Sequence, residues 1–74
     1  MDTHEEEKWV LFRSFADETA ARGMCVWLRN EQIDARREKG EVFIAHSLRF
    51  RAEWIVSQLP PTEEDLSLLA VAGS

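Results

Sequence analysis

Tyrosine is absent from this 74-residue chain, cysteine occurs once and histidine twice. A lone thiol, Cys25, forms no internal disulfide and cannot assemble a cysteine-based metal site, which suits a reducing compartment. The histidines are no better placed for chemistry. His4 lies in an acidic lead-in, and His46 sits beside Ser47, whose hydroxyl is best explained as the N-cap of the next helix. Neither a Cys-His nor a Ser-His-Asp grouping with an orienting partner is legible. Glu63, Glu64 and Asp65 open a helix, where carboxylates complement its positive end, and no second cluster completes a metal site. We therefore expect no catalytic residues, no metal and no cofactor.

Long apolar runs are missing too. Nothing approaches the roughly 18 residues that would span a bilayer. The N-terminus, Met1 to Glu7, is acidic and lacks the basic and apolar stretches of a signal peptide, so the expectation is a soluble, cytoplasmic chain. Positive charge is in deficit, with 9 Lys and Arg against 14 Asp and Glu, a net charge of -5 and a pI near 4.9. That balance disfavours a nucleic-acid partner held by phosphate contacts. The basic residues are clustered, however, at Arg29, Arg36, Arg37 and Lys39 and again at Arg49 and Arg51. A local basic patch stands as the alternative to solvated charge.

What is present is a hydrophobic content of 45% with 31% charged residues, and three Trp with four Phe. This composition is globular. A chain this short is one domain with a single core, burying only about 60% of its unfolded surface.

Residues 1–7 read as a disordered acidic lead-in, residues 8–61 as the domain, and residues 62–74 as a short helix and tail. Lys8 to Ser14 is a strand, apolar on both parities, so which face meets the helices stays open. Asp17 caps a helix over Glu18 to about Glu31, whose arc Ala20, Ala21, Met24, Cys25, Trp27 and Leu28 docks on a sheet; Val26 lies outside it. Gly23 in mid-helix costs about 1 kcal/mol against Ala and signals close packing. Ile33 to Glu38 alternates like a half-exposed edge strand. Lys39-Gly40 makes a turn with a residue able to take positive φ, and Glu41 to Ala45 returns as an apolar strand.

In the second helix Leu48, Ala52, Ile55, Val56 and Leu59 form the buried stripe, with Phe50 and Trp54 on the opposite side. Pro60-Pro61 stops the helix where a fourth strand would complete a ferredoxin-like sheet. Thr62-Glu63-Glu64-Asp65 is a capping-box start for a third helix. The expected fold is α+β, of order βαββα. It has a three-stranded antiparallel sheet in order 1-3-2, two helices on one face and a short C-terminal helix, a truncated ferredoxin-like arrangement.

The missing strand leaves the first strand's outer side unpaired, which points to a protein partner or to self-association through that strand. Candidate interface residues are Trp9, Leu11 and Phe43 on the sheet and Phe50 and Trp54 on the helix. The Phe50/Trp54 ridge is either a docking surface, for a partner or a membrane interface, or the seat on which Leu66 and Leu69 fold back; the deliberate helix start favours the fold-back. Lys39 to His46 also imitates part of the RNP1 run of an RNA-recognition motif, at Lys39, Gly40, Phe43 and Ile44. Glu41 and His46 stand where stacking aromatics belong, so RNA binding is the lesser alternative.

Leu11-Phe12-Arg13-Ser14-Phe15-Ala16, the helix ending in Leu28, Ile33, the run Glu41-Val42-Phe43-Ile44 and a last helix ending in Leu59-Pro60 form a recognisable series. It resembles the small cytosolic N-terminal domain of bacterial rhomboid intramembrane proteases over about Trp9 to Pro61. A similar βαββα pattern occurs in small free-standing prokaryotic proteins assigned to signal transduction. The rhomboid resemblance implies a non-catalytic appendage at the cytoplasmic face of the inner membrane, with the Ser-His dyad in a downstream membrane domain. No active-site residue is carried over. The hairpin is short for that family, and the sequence ends at Gly73-Ser74 without starting a transmembrane helix, as in an excised domain or a free protein.

Overall fold

The computed structural model describes residues 8–72. The lead-in of residues 1–7, with His4, lies outside the described residues. The elements are β1 (Trp9–Ser14), α1 (Glu18–Asn30), β2 (Ala35–Glu38), β3 (Glu41–Ala45), a 3-10 turn (His46–Leu48), α2 (Arg49–Gln58) and α3 (Glu63–Ala72). The strands form one antiparallel sheet in the order β1-β3-β2, as the sequence predicted. No helix among the described residues is long and apolar enough to cross a membrane.

Register resolves which parity of β1 faces the helices. Val10 pairs with Ile44, which pairs with Ala35, and the burial of Ile44 and Ala35 puts this row on the helix side. The neighbouring row, Leu11, Phe43 and Arg36, therefore lies on the open face. The register then slips between Leu11 and Arg13, so Phe12 is the extra residue of a β-bulge. Both Phe12 and Arg13 oppose Val42, and Phe12 is carried into the core at 7% exposure. A bulge explains why a run that is apolar on both parities fits an edge strand.

Local chemistry sets the helix ends. Asp17 is the N-cap of α1, its Oδ1 accepting from the Thr19 N–H at 2.9 Å. At the other end Ile33 N–H donates to Leu28 O at 2.9 Å and Gln32 N–H to Arg29 O at 2.9 Å. With Gln32 at φ 66°, this is a Schellman closure, and Leu28 and Ile33 supply its apolar contact as two of the largest fully buried side chains. Ile33 thus belongs to the helix stop, and β2 begins only at Ala35. The expected capping box is present at α3, where Thr62 Oγ1 accepts from Asp65 N–H at 3.0 Å and Asp65 Oδ2 accepts from Thr62 N–H at 3.1 Å.

Three local expectations are corrected. The positive φ of the hairpin falls on Lys39, at 56°, and not on Gly40. Gly40 is required instead because its carbonyl accepts from Phe15 N–H at 2.8 Å, and a Cβ there would run into the Phe15 carbonyl oxygen. Ser47 lies inside the 3-10 turn; the N-cap of α2 is Leu48, without a side-chain cap. Leu59 is not in the buried stripe, because the chain leaves the helix there at φ -146° and the side chain is 71% exposed.

The core joins Ala21, Met24, Cys25 and Leu28 of α1 to Phe12, Val42, Ile44 and Ala35 of the sheet, with Ala52 of α2 and Leu66 of α3. Val26 is half-buried. α3 lies against α1 at Gly23, where a Cβ would coincide with the Leu66 carbonyl oxygen. The neighbour is backbone, so it cannot swing aside. Helix propensity alone would make Gly23→Ala stabilising by about 1 kcal/mol. We expect the reverse, a loss of about 1 to 3 kcal/mol from overpacking, measured by urea denaturation. Gln32→Gly should act oppositely. Relief of the left-handed conformation, roughly 1 kcal/mol or more, exceeds the added chain entropy of about 0.4 to 1 kcal/mol, so the urea midpoint should rise slightly.

Candidate interaction surface

The two edges of the sheet are finished differently. Ala45 N–H donates to Asp34 O at 3.3 Å, so in the alternating antiparallel ladder Arg36 and Glu38 turn their amides to β3, and Ala35 and Arg37 turn theirs to the β2 edge. Side chains engage part of that edge and of the turn after it. Arg29 Nη2 of α1 donates to Ala35 O at 3.0 Å, and Arg37 Nη1 to Lys39 O at 2.9 Å while lying 3.5 Å from Glu18 Oε1.

On the other side His46 N–H donates to Lys8 O at 2.8 Å, so Val10 turns its amide to β3 and Trp9 and Leu11 turn theirs to the free edge. The later part of this edge is managed. Arg13 Nη1 donates to Phe12 O at 2.8 Å, its guanidinium lies 4.2 Å from the Phe12 ring centre, and its Nη2 reaches Glu53 Oε1 of α2 at 3.5 Å. The bulge and this clamp protect β1 from Phe12 onward. Trp9 to Leu11 remains open.

On the open face the Arg36 guanidinium lies 4.1 Å from the Trp9 ring centre. The two residues sit on the outer strands and meet because the β3 residue between them is Ala45, which they leave only 1% exposed. Leu11 is 52% exposed and Phe43 half-buried beside it. Trp9, Leu11 and Phe43 are thus one apolar patch, as their shared parity requires.

Phe50 and Trp54 are 87% and 64% exposed. The expected fold-back of Leu66 and Leu69 onto them does not occur: Leu66 and Ala70 are buried as α3 docks on α1 through Gly23. The ridge does not stand alone. Around α2, Glu53 lies between the inward Ala52 and the outward Phe50 and Trp54, and Glu53 is the residue tied to Arg13. The Arg13–Glu53 pair thus ties the helix that carries the ridge to β1, the strand whose outer side is unpaired. Trp9, Leu11 and Phe43 share the open face of the sheet, and Phe50 and Trp54 the outer side of α2.

A second apolar feature went unread in the sequence. Trp27, Leu59, Pro60, Pro61, Leu68 and Leu69, with Asp65, line a shallow groove of about 430 Å³. Its signal was the second half of α3, Leu68 to Ala72, which is apolar on every side, with Leu68 and Val71 64% and 76% exposed. Chemistry is sparse elsewhere. Cys25 is buried, and burial pushes its thiol pKa up against the opposing pull of Arg29 and Arg37. Among the described residues no three His, Cys, Asp or Glu come together to hold a metal ion.

The exposure of Trp54 makes a spectroscopic prediction. With Trp9 and Trp27 replaced by Phe, Trp54 emission in the monomeric chain should be red-shifted and readily quenched by iodide, and truncation after Pro61 should destabilise the fold without shifting it further. Blue-shifted emission at low concentration would mean the ridge is covered from within. Comparison of the chain with models of known protein families, with curated proteins and with solved structures finds no match, so its function is argued from these surfaces.

Proposed function

We propose that this chain is a non-catalytic interaction or regulatory domain, working in the cytoplasm through the surface at the free edge of β1. The observation that carries the reading is the coincidence of two unsatisfied features. The outward amides of Trp9 and Leu11 belong to β1, and the exposed Phe50/Trp54 ridge to the helix tied to that strand through Arg13 and Glu53. Edge strands that are not engaged are usually blunted throughout. Here the other edge is short, charged and engaged by Arg29 at Ala35, and Arg13 covers the far half of this one, which leaves a short stretch of β1 suited to β-augmentation.

The resemblance to the cytosolic domain of rhomboid proteases supports a more specific form, an appendage held at the cytoplasmic face of the inner membrane beside an intramembrane serine protease. In that setting the Trp54 ridge also suits the membrane interface, where Trp is favoured. The open face favours protein over RNA. Arg36 is engaged on Trp9, and register places Glu38 opposite Glu41 on the same face, a poor lining for phosphates.

The experiment is photo-crosslinking in the native cell with a benzophenone side chain at position 54, and at Lys39 of the hairpin as control. A discrete protein adduct at 54, lost on Phe50→Glu, is the expected result. Equal or absent labelling at the two positions would overturn the reading. The reading frame beyond Ser74 tests the appendage form: apolar spans with a Gly-x-Ser motif are expected, and a stop codon removes it.

A further inference from the structure

Resting on that reading, the geometry points to a second copy of this chain as the occupant of the edge: we propose an antiparallel pair of β1 strands about a two-fold axis at Val10. The open stretch is self-complementary in length and phase. Its outward residues are Trp9 and Leu11, on either side of an inward-bonded Val10. An antiparallel copy centred on Val10 sets Trp9 opposite the second copy's Leu11 and Leu11 opposite its Trp9. Each is then a hydrogen-bonded pair. Four new backbone bonds form, and the exposed amides of both copies are satisfied together.

The side chains agree with this register. On the open face Trp9 and Leu11 of the two copies alternate and extend the Phe43 patch into one strip, covering the half-exposed Leu11. Val10 meets Val10 at the close, non-hydrogen-bonded position, where β-branched pairs fit. No like charges are opposed. Lys8 falls opposite Phe12.

The same axis sets both α2 helices on one face of the joined sheet. Phe50 and Trp54 offer on the order of 300 Å² per copy when covered, and a contact that covers them as well as the strand reaches the roughly 1,000 Å² of total area that a specific interface requires. The two-fold pairing uses both β1 edges and joins two three-stranded sheets into one six-stranded sheet, whose outer edges are the short, charged β2 strands, which disfavour further pairing. This closure distinguishes the arrangement from edge-driven aggregation.

Sedimentation equilibrium of the purified chain from about 1 µM to about 500 µM tests the proposal. A monomer–dimer equilibrium is expected. Leu11→Pro should weaken it at least about tenfold, because the N–H removed faces outward and no bond of the monomer is lost. Its circular dichroism should match the parent. Val10→Pro, whose N–H faces β3, should unfold the chain instead. Should Leu11→Pro fail to fold, Leu11→Lys and Phe50→Glu remain, and each should weaken the dimer with the melting temperature of the dilute monomer unchanged. A strict monomer at 500 µM, on the order of the highest concentration tested, or a dimer indifferent to all three changes, would overturn the pairing. The crosslinking experiment separates this from failure of the broader reading. An adduct at position 54 with a different protein sinks the dimer and leaves the interaction domain standing, whereas no adduct sinks both.

Discussion

The approach of α3 to α1 at Gly23 is the constraint on which the exposed surface depends. Without a Cβ at that position the Leu66 carbonyl lies directly on α1, and Leu66 and Ala70 fill the space behind it. The segment after Pro60-Pro61 is then committed. It neither returns along β1 as a fourth strand nor folds over Phe50 and Trp54. The absence of a side chain on one helix thus determines which groups elsewhere remain without partners, and the Thr62–Asp65 capping box starts α3 at the point where this contact begins.

Arginines do most of the edge work, which gives the local cluster of positive charge a structural account. Arg29 bonds the Ala35 carbonyl of β2, Arg37 the Lys39 carbonyl of the turn, and Arg13 the Phe12 carbonyl at the bulge of β1. Arg36 lies across Ala45 onto Trp9. Guanidinium groups suit these positions because several donors on a planar fork bond a carbonyl while the face stacks on an aromatic ring. Four of the six basic residues between Arg13 and Lys39 are therefore spoken for locally. That weakens any reading of them as a free phosphate-binding patch.

Element order, strand order and the caps of α1 and α3 were legible because each is signalled by neighbours in sequence. Asp17 before Glu18, the Thr62–Asp65 spacing and the run Glu41 to Ala45 are of this kind. The parity of β1 was not legible, because the bulge at Phe12 leaves apolar residues on both faces and only pairing with Val42 reveals it. The positive φ at Lys39 was masked by Gly40, which looks like the conformationally free residue but is needed for its missing side chain against Phe15. Of the site, Phe50 and Trp54 followed from helical spacing. The Trp9–Arg36 stack did not, since it spans two strand registers across a small residue. Where α3 would dock was likewise a tertiary matter, and amphipathic spacing at Leu66 and Leu69 suited either partner.

The element that carries the ridge is also the most weakly held. In α2 only Ala52 is fully buried, with Ile55 and Val56 partly covered, and its first turn carries basic residues without an acidic one to complement the helix dipole. Its tie to β1 is the Arg13–Glu53 pair, whose side chains are 38% and 46% exposed, and an ion pair in that environment contributes at most about 1 kcal/mol. Stability in a small domain is unevenly distributed, and binding segments come from its low end. α2, held chiefly through Ala52 and this exposed ion pair, is by that measure the least anchored of the described helices.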